Sequence, residues 1–299
     1  MQLKNVRILR FDPATFPSVE VLEDQLAKRG LEPLTALERE RYGFVPPSPD
    51  GTLVHARESY RLIALGSEKK LLPSTVVRQT ADQRAQKLEQ QQGRAPGKKQ
   101  MRDLRDQVET ELLSRAFTVR QSTRIWFDLQ TGFILIDHAS PKLEETFFEI
   151  WHQTISGVEC QRLEVERAPL SAMTHWIATG DAPAGFSIDQ EAELRSAAVG
   201  QATVRYLRHV LDESEIRRHV SNGKQCTRLA LTWRDRLSFV LGEDLSLKRL
   251  QWVATESDDN GTEVSEEDRF DMDFILSSGD LAGLCHDLVE ALDGVLHRA

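Results

Sequence analysis

The rhythm of apolar and polar positions changes several times along the chain. Val6-Arg7-Ile8-Leu9 alternates as a strand, and Val19, Leu22 and Leu26 recur along one helical face. Prolines 46, 47 and 49 with Gly51 exclude helix and central strand, which predicts a loop over Phe44–Gly51 before a strand at Tyr60–Leu65. From Pro73 the character shifts. Thr75–Gln92 is rich in helix formers, yet Val76, Thr80, Gln83 and Lys87 give it almost no apolar face. Gly93-Arg94-Ala95-Pro96-Gly97 breaks that helix, and Met101, Leu104, Val108 and Leu112 mark a second one over Lys99–Arg115. Two helices on a short Gly/Pro turn make an αα-hairpin, expected to project from the body because it has little to bury.

Beyond the hairpin, Arg124–Phe127 and Phe133–Asp137 read as paired strands, and Pro141–Gln153 as a helix with proline in its first turn. Cys160–Val165 is a predicted strand, and Ser171–Thr179 a short helix capped by Ser171. Asp189–Ala197 and Asp212–His219 read as further short helices, with a strand at Thr203–Val210 between them. The firmest strand signal follows: Thr227, Leu229, Leu231 and Trp233 alternate with Arg228, Ala230 and Thr232, and Leu237–Leu241 and Leu247–Val253 complete a meander. Asp280–Leu296 reads as an amphipathic helix. Strands that come in hairpins, not in alternation with helices, predict an α+β class with antiparallel sheets and packed helices. The predicted organisation has a central α+β body (1–72 and 116–170), the basic hairpin (73–115) and a second α+β region (171–299) ending in an acidic helix.

Composition narrows the classes. The 299 residues carry a net charge of −9, which taken alone argues against a nucleic-acid binder. No run approaches the ~18 apolar residues of a membrane helix, and the start shows no apolar signal region, so the expectation is a cytoplasmic protein with no membrane partner. Cys160, Cys226 and Cys285 are far apart and odd in number, matching neither a disulfide framework nor a zinc pattern; they are expected to be buried apolar filler.

Motifs for catalysis are missing. Gly93-Arg94-Ala95-Pro96-Gly97-Lys98-Lys99 is one residue short of a phosphate-binding loop, puts Lys99 where the metal-binding hydroxyl belongs, and loses an N–H to proline. The eight histidines show no ligand spacing, and Asp137-His138 reads as a strand end before half of an acid–base pair. The expectation is a non-enzyme without cofactor or metal.

Charge placement alters the picture drawn from net charge. Between Lys69 and Arg105 ten cations face three acids, a segment of +7, whereas Glu256–Ala299 holds thirteen acids against Arg269 and Arg298, a segment of −11. Long cationic side chains on projecting helices suit phosphate contact, which singles out Arg78, Arg84, Lys87, Arg94, Lys98, Lys99 and Arg102. The same pattern suits a protein-interaction module whose hairpin docks on an acidic partner, and charge alone does not separate the two. A second strip, Arg205-Tyr206-Leu207-Arg208-His209, alternates its cations across a strand unless the chain turns near Leu207.

Several runs closely resemble the RdgC family of recombination-associated proteins: Tyr42-Gly43-Phe44-Val45-Pro46-Pro47, Glu68–Val77, Arg115-Ala116-Phe117, Leu229–Trp233, Ser246–Leu250 and Arg269–Leu276. They follow the family's order across almost the whole chain. The resemblance implies a horseshoe-shaped subunit forming a ring-shaped homodimer that encircles duplex DNA without sequence preference, with single strands left open as a further ligand. It also implies a nucleoid-associated antagonist of RecA-promoted recombination. By the same resemblance Phe117 is the gate phenylalanine of the dimer, Arg208 and His209 face the hole, and Arg94, Lys98 and Lys99 form the basic tip. From the residues alone, Phe117 reads as a core phenylalanine closing the second hairpin helix.

Overall fold

The computed structural model describes residues 3–138, 140–196, 202–208, 211–253 and 265–296. Twelve strands and seven α-helices lie among them, and the fold is α+β with antiparallel pairing. The chain separates into two compact units. The larger contains residues 1–26, 46–63 and 123–299, the smaller residues 27–45 and 64–122.

In the larger unit, strand β1 (Val6–Arg10) precedes helix α1 (Val19–Ala27), whose last residue belongs to the smaller unit. His55–Arg57 (β3) forms a hairpin with the first residues of β4 (Tyr60–Lys70). The second half of β5 (Thr118–Asp128) then pairs with β6 (Phe133–Ile136). Helix α4 (Pro141–Thr154), the short β7 (Gln161–Arg162) and helix α5 (Pro169–Thr179) follow. The sheet then continues with β8 (Phe186–Ser196), β9 (Thr203–Leu207), helix α6 (Glu213–Ser221), β10 (Lys224–Trp233), β11 (Leu237–Gly242) and β12 (Ser246–Trp252), before helix α7 (Glu266–Ala291). The strand order here runs β6-β1-β12-β11-β10-β8-β9, so β1 from the start of the chain sits between β6 and the meander. The meander expected from alternation is present, with Leu229, Leu231 and Trp233 inward against Leu281, Leu284 and Leu288 of α7 in one core. Tyr60 stacks on Trp126, whose indole N–H donates to Ser278 Oγ at 2.9 Å and ties β5 to α7.

The smaller unit pairs β2 (Glu40–Val45) with the second half of β4, and β5 follows β4 in strand order. Helices α2 (Ser74–Gln92) and α3 (Lys98–Ser114) pack on each other through Val77, Ala81 and Val108. The two helices and the turn between them are present as expected, and Gly93 at φ 69° supplies the left-handed stop of α2.

Four local readings change. Of Asp189–Ala197, predicted helical, Asp189 to Ser196 lie in β8, because pairing to β9 and β10 on both sides outweighs weak intrinsic propensity, and Ala197 lies outside the described residues. Helix α5 starts at Pro169 after Ala168, so Ser171 is not its cap. The last helix begins at Glu266, well before the predicted Asp280, with Ser265 Oγ accepting from the Asp268 N–H and three acids in the first turn. The loop prediction from Phe44 is shortened too, since Phe44 and Val45 close β2. Of the acidic run, Glu256, Asp258, Asp259 and Glu263 lie outside the described residues, as does Arg298.

Burial raises the Cys160 and Cys226 thiols to about 12 and that of Cys285 further still, so all three should resist a thiol reagent at pH 8 until the protein is unfolded. Fast labelling of native protein would contradict this packing. Gly43 is equally constrained: a Cβ there would meet Leu31 N and Cα at 2.5 Å, where Leu31 N–H donates to the Phe44 carbonyl. Gly43→Ala should cost about 1–3 kcal/mol in denaturant unfolding, with a neutral result ruling out this close approach.

Candidate nucleic-acid interface

Helical periodicity sorts the cations of the hairpin. On α3, Lys98, Arg102 and Arg105 recur at i, i+4 and i+7 and share one exposed stripe about 10 Å long, away from buried Leu104 and Val108. Arg105 was not singled out from sequence, although this spacing was there to be read. Arg78 and Lys87 on α2 are exposed but nine residues apart, about half a turn, and so flank the packing face on opposite sides. Arg84 is half-buried and forms an ion pair with Glu111 at 2.7 Å that joins the two helices. Lower on α3, Glu109 pairs with Arg39.

The connection and the start of α3 concentrate charge further. Arg94 is exposed in the turn, and Lys98 and Lys99 occupy the first two positions of α3, where no acid is present in the first turn. Gln100 Oε1 accepts the Gly97 N–H at 3.1 Å. Cations at the positive end of a helix oppose its dipole, and an anion there relieves both. No ion pair is formed by Arg78, Lys87, Arg94, Lys98, Lys99, Arg102 or Arg105 among the described residues.

Phe117 sits where α3 hands over to β5. Its carbonyl accepts the Leu71 N–H at 2.7 Å, which fixes the backbone, while the side chain is 85% exposed. A core role is therefore excluded within this chain. Leu71, Val76 and Val119 are exposed as well, giving the smaller unit several bare apolar side chains near one end of the hairpin.

The second strip behaves differently. Arg205 on β9 donates from Nε to the buried Glu193 at 2.7 Å. The strand ends at Leu207, and Arg208 follows at φ 52°, exposed, so the chain does turn where alternation would have split the strip. His209 lies outside the described residues. Burial pushes the Glu193 carboxyl up, but hydrogen bonds from Arg195, Arg205 and Thr227 outweigh it and hold the group below the usual carboxylate range.

Residues considered for catalysis are occupied structurally. Asp137 Oδ1 accepts the N–H groups of Lys4 and Asn5 at 2.8 and 3.1 Å, and His138 Nδ1 accepts that of Ser140 at 2.9 Å. Among the described residues the one group with metal-ligand proximity is His286, Asp287 and Glu290 on α7. Asp287 Oδ2 already accepts from the Trp233 indole at 2.8 Å and pairs with Arg234 at 2.7 Å, so this carboxylate is engaged in holding α7 to β10. No helix among the described residues is long and apolar enough to cross a membrane.

Comparison with known proteins places these features in a family. A family model described as "Putative exonuclease, RdgC" matches residues 1–295. The Recombination-associated protein RdgC of Cupriavidus pinatubonensis is 46% identical over 297 residues, covering 98% of this chain and 99% of that protein. The protein of the same name from Janthinobacterium is 39% identical over 299 residues, 100% of both chains. That from Burkholderia cenocepacia is 42% identical over 296 residues, 98% of this chain and 96% of its own. The word exonuclease belongs to the description of the family model, while the relatives are named for recombination. On this nearly full-length similarity, the chain belongs to the RdgC family of recombination-associated proteins.

Proposed function

We propose that this protein binds DNA without sequence preference, as a ring-shaped homodimer enclosing the duplex, and thereby limits RecA-promoted recombination at the nucleoid. The observation that carries the reading is the cationic stripe Lys98–Arg102–Arg105 with Arg94 and Lys99, exposed and without ion pairs among the described residues. A helix that begins with two lysines and no acid in its first turn is complementary to an external polyanion. Base-specific readout would need side chains shaped for base edges, whereas lysine and arginine on a helix flank match phosphates of any sequence. Phe117 supports the dimer. A large aromatic side chain held on a pinned backbone in full solvent is suited to a dry contact with a second copy, and one such anchor can supply much of an interface's energy. Closure around DNA also lowers the affinity demanded of each phosphate contact, because release requires the ring to open.

The electrostatic part is read by fluorescence anisotropy on random duplex between 50 and 200 mM salt. Lys98→Gln combined with Arg102→Gln should reduce the slope of log affinity against log salt by about two, since each lost phosphate contact removes roughly one counterion. A flat response in the unmodified protein, or binding independent of duplex length, would favour docking on an acidic protein. Closure is read separately. Phe117→Ser should leave the subunit folded, with an unchanged circular-dichroism spectrum, because the side chain is 85% exposed within the chain, while shortening retention on closed circular DNA challenged with competitor. Equal retention on closed circles and short linear fragments in the unmodified protein would exclude the ring.

A further inference from the structure

One buried carboxylate in the larger unit gathers more cations than neutralisation requires. Glu193 on β8 is 3% exposed. Across the sheet its partner on one side is Arg205 of β9, Nε to Oε2 at 2.7 Å. On the other side is Arg228 of β10, Nη1 to Oε2 at 3.6 Å. Arg195, two residues along β8 and so on the same face, places Nη2 2.9 Å from Oε1. Thr227 Oγ1 donates to the same Oε1 at 3.1 Å.

Thr227 and Arg228 are consecutive and should point to opposite faces of a regular strand. They reach one carboxylate because a bulge interrupts the β10–β8 register between Cys226 and Arg228, with Cys226 and Leu229 both left in the core. The irregularity therefore brings a second donor to Glu193. One guanidinium would suffice to neutralise a buried carboxylate, yet three arginines gather here; of the other acids nearby, Glu191 pairs with Arg249, and Glu243 is 3.8 Å from Arg195 and itself 43% exposed. The arginines stay open to solvent at 36%, 64% and 46% for Arg195, Arg205 and Arg228. Each guanidinium has five N–H donors in a fixed fork, and Arg205 engages Glu193 through Nε, leaving its Nη pair free of ion pairs among the described residues. Glu193, Arg205 and Arg228 line a depression of about 160 Å³ with Glu191, Ala192 and Leu207.

We propose that Glu193 is a positioning residue that fixes Arg195, Arg205 and Arg228 as a phosphodiester-binding platform on the β8–β10 face, a contact with nucleic acid additional to the hairpin. The inference rests on the DNA-binding reading above. A carboxylate that costs net positive charge is an odd component of a polyanion site unless its work is geometric. It holds planar forks in the orientation that phosphate oxygens accept, and rigid arginines lose less entropy on binding than free ones.

That trade gives a test in which charge and position predict opposite signs. Glu193→Gln raises the net charge by one, so simple attraction predicts tighter binding. Positioning predicts about tenfold weaker binding to random duplex, with a salt slope lower by about two although no cation is removed. Arg205→Lys with Arg228→Lys keeps every charge on exposed side chains and loses the forks; it should weaken binding similarly, and it decides the matter should Glu193→Gln melt at a lower temperature. Unchanged or tighter binding by the lysine variant, with binding still weakened by the Lys98→Gln and Arg102→Gln pair, overturns the platform and leaves the hairpin reading intact. Absence of any duplex binding by the unmodified protein overturns both.

Discussion

The larger unit depends on a five-residue strand. β1 hydrogen-bonds to β6 on one side and to β12 on the other, with Val6 opposite Leu247 and Arg7 opposite both Ile136 and Ser246. Without it, the strands that precede the first long helix of this unit and the meander near the C-terminus would be two open-edged sheets. The closure joins residues from distant parts of the chain, so its loop entropy must be met by contacts that form together. Arg7 on β1 helps to supply them: it pairs with Glu144 of α4, 1% exposed, and with Asp244 in the turn before β12. Arg162 of β7 pairs with the same Glu144, so one buried acid fastens three elements.

The same chemistry recurs as a rule of this molecule. Buried or half-buried carboxylates are placed at junctions and arginines are brought to them: Asp280 with Arg236, Asp287 with Arg234, Glu68 with Arg120. Burying such a group is tolerable only with charge and hydrogen bonds supplied, and an arginine supplies both at each of these junctions. Eight arginines outside the hairpin are committed to the fold in this way among the described residues. The hairpin departs from this rule, and the contrast gives its bare cations meaning. A lysine in sequence counts as charge wherever it is, but only one without an internal partner is available to something outside.

Legibility followed the range of the interactions responsible. The hairpin could be read because Gly93, Pro96 and Gly97 act on their own backbone and because Leu104 and Val108 repeat at helical spacing. The meander could be read because alternation over Thr227–Trp233 is a local record of one buried face. β8 could not. Asp189-Gln190-Glu191-Ala192-Glu193-Leu194-Arg195 carries helix-forming residues, and its extended state is imposed by two neighbouring strands that no local window contains. Arg205 likewise looked like a free cation beside Arg208, since its partner Glu193 lies on the adjacent strand.

By itself, then, the sequence determined the α+β class, the basic hairpin and its turn, the apolar fate of the cysteines, and a charge distribution that net charge concealed. These follow from short-range sterics, periodicity and counting. Tertiary structure alone decided which cations remain available and that Phe117 faces solvent. It also decided that a bulge in β10 brings Thr227 and Arg228 to one buried acid. The reason is physical: exposure and ion pairing are properties of neighbours in space, and β-sheet neighbours are drawn from anywhere in the chain.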